Sequence, residues 1–137
     1  MAFWKVPRAP IASDRILLDS RTILWLFFGL SGRIGRITHF WAGLLLYLAR
    51  LFPVYKIIAN SGNESVQTLW GGVFLVVLGA AIVCHLSLAV KRLHDMNASG
   101  WFAFLFLLGD FLFWLVLSLI PGQPGPNRFG AQTNSPK

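Results

Sequence analysis

His85 and Asp110 are the two residues whose type and position most call for a chemical explanation, because each lies inside a run of apolar side chains. An ionisable group within a membrane span is costly and turns toward the bundle interior or a water-filled cavity. His85 stands six residues before Lys91, about 9 Å along a helix, and Asp110 nine residues after Trp101, about 13.5 Å. On antiparallel neighbours the offset of about 4 Å is bridged by tilt and side-chain reach. The two are therefore expected to face each other. Such a pair is either a hydrogen bond that glues helices together or a proton-sensitive site, since burial and an opposite charge act on an imidazole in contrary directions.

Two basic motifs carry the other candidates. In Lys91-Arg92-Leu93-His94-Asp95, the Asp95 carboxylate is placed to orient His94 or to pair with Arg92. The nearest hydroxyl, Ser99, precedes Gly100 and suits a helix cap better than a nucleophile, so no enzymatic activity is expected. In Gly32-Arg33-Ile34-Gly35-Arg36 the cations are three residues apart, and the glycines permit close approach to a phosphate. Arg33, Arg36, Lys91 and Arg92 are the candidate contacts to lipid phosphate; their plainer role is a positive collar that fixes topology. One cysteine (Cys84) and three scattered histidines (His39, His85, His94) supply neither a disulfide nor a standard metal set, and no cofactor is expected.

The elements that position these residues follow from composition. Of 137 residues, 55% are hydrophobic and only 12% charged, about half the charged share of an ordinary soluble domain. Lipid is the natural solvent for the remainder. We expect an all-α membrane protein, a bundle of about three transmembrane helices (spans about 38–58, 66–90 and 101–120) preceded by a short interfacial helix over the apolar run that holds Trp25, Phe27 and Phe28. Arg50 in the first span is expected to snorkel toward Lys56, and Pro53 to kink the last turn. The second span carries a small-residue line, Gly71, Gly72, Gly79, Ala80 and Ala81, that would admit another helix, including one from a second copy. Residues 1–31 read as an N-terminal cytoplasmic or interfacial arm, 32–130 as the membrane domain and 131–137 as a disordered tail.

The net charge of +7 would suit a nucleic-acid binder, but its placement does not. Lys5, Arg8, Arg15, Arg21, Arg33 and Arg36 precede the first long apolar run, and Lys91 and Arg92 lie between later ones. With three spans these eight share one side, against Lys56, Arg128 and Lys137 on the other, which places the N-terminus in the cytoplasm and the C-terminus outside. The alternative splits the last segment at Gly109-Asp110 into a re-entrant hairpin and returns the tail to the cytoplasmic side.

Three blocks in order, GRIGR with the following HFW (Gly32 to Trp41), KRLHDMNASGWF (Lys91 to Phe102) and PGQPGPNRFG (Pro121 to Gly130), together resemble the small bacterial inner-membrane proteins grouped as domain of unknown function 805. The resemblance covers about Phe28 to Gly130. It departs mildly from the usual pattern at Lys91, Phe102 and Phe129. It implies a multi-pass protein of the bacterial inner (plasma) membrane and brings no established activity. From residues and resemblance together, we expect a non-enzymatic module in contact with the lipid bilayer, anionic phospholipid headgroups or a membrane partner. A small transporter or proton-coupled subunit using His85 and Asp110 is the alternative.

Overall fold

The computed structural model describes residues 19–136; most of the expected N-terminal arm, with Lys5, Arg8 and Arg15, lies outside them. Among the described residues the regular elements are all helical: α1 (Ser20–Phe28), α2 (Arg36–Ala59), α3 (Glu64–Asp95), a 3₁₀ helix (Gly100–Leu108) and α4 (Asp110–Leu119). Only α2 and α3, 24 and 32 residues, are long and apolar enough to cross a membrane. At 1.5 Å per residue they run about 36 and 48 Å. They form an antiparallel pair, with the extended segment before α2 bonded to the end of α3 (Ile34 N–H to the Lys91 carbonyl, 3.3 Å). Asn63 starts α3 by accepting from the Val66 N–H at 3.1 Å.

Residues 101–120 do not make the third span expected from their apolarity. The 3₁₀ helix starts beside Val90 and His94, where a Cβ on Gly100 would touch both, and descends until Phe106 stacks on His85. The chain then breaks at Gly109. α4 starts next to α2, with Asp110 paired to Arg50, and climbs back until the Leu117 and Ile120 carbonyls meet Arg92. At 2.0 and 1.5 Å per residue, arms of nine and ten residues reach about 18 and 15 Å, roughly half a hydrocarbon core of about 30 Å. The segment is a helical hairpin of two short arms, the shape expected of the re-entrant alternative. Its tip satisfies its own backbone: Gly109 N–H bonds the Phe106 carbonyl, Phe113 N–H the Gly109 carbonyl, and Phe111 N–H the Asp110 side chain.

Three further expectations change with this geometry. Residues after α4 lie at the same end of α3 as Ile34, so the described C-terminal residues do not lie across from α1. The 131–136 stretch is not a free tail: Asn134 N–H bonds the Arg33 carbonyl at 2.8 Å, and Arg33 N–H the Ser135 carbonyl at 3.2 Å. Lys91 to Asp95 are helical rather than part of a loop, because their side chains find internal partners and need no water.

The surface is apolar where a soluble protein would be polar. Leu45, Leu48 and Leu51 on α2, Leu75 and Val76 on α3, and Leu108 at the hairpin tip are all exposed, while Arg33, Lys91, Arg92 and Asp95 are buried. That inversion suits lipid around the helices and a polar core at one end. Gly71, Gly72 and Gly79 face open space within the chain.

Candidate functional site

The three sequence blocks converge at the end of α3 on one buried carboxylate. Asp95 ends α3, and its side chain accepts from Arg33 Nε at 3.1 Å, Arg92 at 2.5 Å and Thr133 Oγ1 at 2.7 Å. Arg33 arrives from the turn before α2, where Gly32 holds φ +88° and a Cβ would collide with Ser135. Its remaining N–H groups donate to the carbonyls of Gln123, Gly125 and Gly130 in the Pro/Gly-rich loop. A chain segment without helix or strand leaves its carbonyls unpaired, and a five-donor guanidinium collects them. Gly122 is required beside the carboxylate, since a Cβ there would overlap Asp95.

Electrostatics explain how so many cations are buried together. Asp95 neutralises one of the two arginines. Arg92 also donates to the Leu117 and Ile120 carbonyls at the C-terminus of α4. Lys91 Nζ donates to the Trp25 and Leu26 carbonyls near the C-terminus of α1, and to Ser87 Oγ. A helix C-terminus carries about half a negative charge, so each of these cations caps a helix dipole. Lys91 also sits 4.9 Å over the Trp25 ring, and Ser87 Oγ donates to the Gly29 carbonyl at 2.6 Å. Together they fasten α1 to α3.

The candidate lipid contacts therefore divide. Arg33, Lys91 and Arg92, expected to meet phosphate, are at most 1% exposed and are spent on internal acceptors. Arg36, at the first turn of α2, is exposed. His94 does not join Asp95: its ring stacks on Phe129 at 3.9 Å and its Nδ1 lies 3.2 Å from the Gly32 carbonyl. Ser99 caps the 3₁₀ helix through the Trp101 N–H at 3.5 Å. The expected His85–Asp110 pair does not form either. Asp110 pairs with Arg50 at 2.8 Å, and His85 is 3.1 Å from the Ala81 carbonyl with its ring against Tyr47 and Phe106. Arg50 does not snorkel outward; its guanidinium folds back over Tyr47, the direction in which helical side chains lean.

Arg50 and Tyr47, which the sequence reading did not single out as site residues, belong to a face of α2 that is legible in retrospect. His39, Gly43, Tyr47 and Arg50 recur at helical spacing and meet Ser118, Trp114 and Asp110 on α4, also at helical spacing. A Cβ on Gly43 would strike the Trp114 indole. His39 and Ser118 resemble a nucleophile and its base at 3.0 Å, but Ser118 Oγ donates to the Trp114 carbonyl and so accepts from His39. That polarity is opposite to nucleophile activation. No group of three or more His, Cys, Asp or Glu among the described residues is placed to hold a metal.

A family model described as a protein of unknown function (DUF805) matches residues 27–131, a stretch that encloses Arg33, Arg92, Asp95 and the Pro/Gly-rich loop. The chain belongs to this family. It is 31% identical over 123 residues to inner membrane protein YhaI of Escherichia coli (strain K12), covering 85% of this chain and 92% of that one. It is 29% identical over 116 residues to inner membrane protein YhaH of the same organism, covering 79% and 89%. No solved structure matches. Membership and the outward apolar surface agree on a membrane protein; in this chain the cluster of Arg33, Arg92, Asp95 and Thr133 with the Pro/Gly-rich loop and the 131–136 stretch it holds, the cap, joins all three blocks around one carboxylate.

Proposed function

We propose that the chain is a non-enzymatic, multi-pass module of the bacterial inner membrane, with its N-terminus and cap on the cytoplasmic side, that engages anionic phospholipid headgroups there. The supporting observation is the distribution of cations. Arg33, Arg36, Lys91, Arg92 and Arg128 lie at the cap end, whereas Arg50 lies within α2 on Asp110 and Lys56 in the last turn of α2 at the other end. Loops rich in Lys and Arg stay in the cytoplasm. The buried members hold the cap together, so headgroup contact falls to Arg36 and Arg128, which are exposed. Each exposed cation near an anionic surface contributes about 1 kcal/mol. A second copy packing on the open Gly71, Gly72 and Gly79 face would present two such surfaces side by side.

The test is co-purification of phosphatidylglycerol and cardiolipin with wild-type protein and with Arg36→Gln/Arg128→Gln. Removing both cations costs about 2 kcal/mol, about thirtyfold in affinity, so the variant is expected to retain less than about a tenth of the wild-type anionic lipid at equal abundance. An unchanged lipid profile would remove the headgroup role.

A further inference from the structure

The polar atoms around Asp95 are satisfied; several on α2 and α3 that face the hairpin tip are not. Among the described residues the buried side-chain atoms without a hydrogen-bond partner are Tyr47 Oη, Arg50 Nε, Arg50 Nη2 and His85 Nε2, and all belong to one cluster. Tyr47 connects it, with the His85 ring at 4.8 Å and the Arg50 guanidinium 4.2 Å from its own ring centroid. Buried polar atoms are nearly always paired, and unpaired ones in hydrocarbon cost several kcal/mol each. Tyr47 Oη lies beside the Arg50 and Asp110 side chains and the His85 ring beside the Gly43 backbone, but none of these contacts reaches good hydrogen-bond geometry, so an acceptor entering here would find donors already converging. Two cavities flank Arg50: one of about 480 Å³ walled by Leu44, Leu48, Leu51, Phe74 and Phe111, and one of about 310 Å³ between α3 and the hairpin tip.

Depth and charge restrict what that acceptor is. Arg50 lies 14 residues after Arg36 and nine before Ala59, about 21 and 13.5 Å from the two ends of α2. Leu48, Leu51 and Phe111 are more than half exposed, so the larger cavity opens sideways to lipid rather than to water. A molecule reaching it travels within the bilayer and brings an apolar tail. Asp110 already neutralises Arg50, so an anionic head would leave an unbalanced negative charge in hydrocarbon, whereas an uncharged acceptor would not. We propose that Tyr47 and Arg50 form a lipid-accessible binding site for the uncharged carbonyl head of a bilayer-dissolved amphiphile of the quinone class, its tail lying along α2 against Phe74 and Phe111. Tyr47 Oη and the free N–H groups of Arg50 donate to the carbonyl, and Asp110 holds the guanidinium in place.

The probe is a decyl-substituted benzoquinone titrated into the full chain in lipid nanodiscs, read by quenching of tryptophan fluorescence; Trp114 packs on Tyr47 with ring centroids 5.2 Å apart. Tyr47→Phe keeps the ring and removes the donor, and Arg50→Lys keeps the charge opposite Asp110 but loses Nε–H. Each is expected to weaken saturable binding about tenfold or more, with thermal unfolding unchanged for Tyr47→Phe. If Arg50→Lys does not fold, Tyr47→Phe decides alone. Quenching that rises only with partitioning and never saturates overturns the proposal, as does wild-type affinity in Tyr47→Phe. Palmitate displacing the quinone at lower concentration than an uncharged methyl ester would overturn the choice of head. The headgroup test at Arg36 and Arg128 is independent of every one of these outcomes.

Discussion

Replacing Asp95 by Asn should break the cap. The side chain is 4% exposed and receives two arginines and a threonine hydroxyl, so solvent screens little of the interaction. Asn preserves shape but removes the charge, and its amide nitrogen points donors at donors. Removing one partner of a buried ion pair costs about 3–5 kcal/mol, because the remaining charges stay buried without compensation. At 1.4 kcal/mol per factor of ten, the intact cap would lose about two to three and a half orders of magnitude in population relative to its opened form. The loss is local first. Arg33 and Thr133 secure the loop and the 131–136 stretch, whereas α2 and α3 hold each other by apolar packing along their length. Limited proteolysis of detergent-solubilised protein should therefore cut Asp95→Asn rapidly between Pro121 and Pro136 while leaving the α2–α3 core intact. Thr133→Val, which removes one hydrogen bond to the carboxylate worth about 1.5 kcal/mol or more, should accelerate the same cleavage by about tenfold or more, yet less than Asp95→Asn. Equal cleavage rates for Asp95→Asn and wild type would refute the reasoning that this carboxylate holds the cap.

Other substitutions test other parts of the fold. Gly122→Ala drives a methyl into the Asp95 carboxylate and should lower thermal stability by about 1–3 kcal/mol, whereas Gly62→Ala, in open space, should change a detergent melt by less than about 0.5 kcal/mol. Lys91→Met removes the cation from the C-terminus of α1, so Trp25 should shift its emission toward the red as α1 detaches while the α2–α3 pair persists. Asp110→Asn leaves Arg50 without a counter-ion in hydrocarbon and should reduce abundance; Arg50→Gln combined with Asp110→Asn should recover part of it, measured by in-gel fluorescence of a tagged chain.

The helices were legible in the sequence, and their ends were not. Spans of 38–58 and 66–90 became Arg36–Ala59 and Glu64–Asp95, and the largest change is at Lys91 to Asp95. Five residues with four titratable side chains read as a solvated loop; they continue the helix because Asp95, two helix C-termini and the carbonyls around them absorb the charge. Lys and Arg counts located one face of the molecule but carried no sign of which cations are buried. Residues 101–120 are apolar throughout, so periodicity could not separate one span from two half-depth arms. The signal was Gly109-Asp110, where a break and a charge coincide. The Pro/Gly-rich stretch reads as extended because its residues resist helix and strand; what orders it is its backbone carbonyls held by Arg33, together with Asn127 and Arg128 bonding the His94 and Asn97 carbonyls. Asp110 was expected to meet His85, but its partner is Arg50, the arginine on α2 that was expected to snorkel away.

On the proposed two-span topology, α1, the cap and the 131–136 stretch share one side of the membrane, and the α2–α3 turn at Ser61 and Gly62 lies on the other. The most direct test is a pair of reporters in cells, in a Cys84→Ala background: a C-terminal fusion to a protein fluorescent only in the cytoplasm, and Ser61→Cys probed with a membrane-impermeant maleimide. The hairpin predicts a fluorescent C-terminus together with maleimide labelling at position 61 in intact cells. A dark C-terminal fusion that is active instead as a periplasmic phosphatase, with position 61 labelled, would mean that residues 101–120 cross the membrane and that the hairpin is wrong.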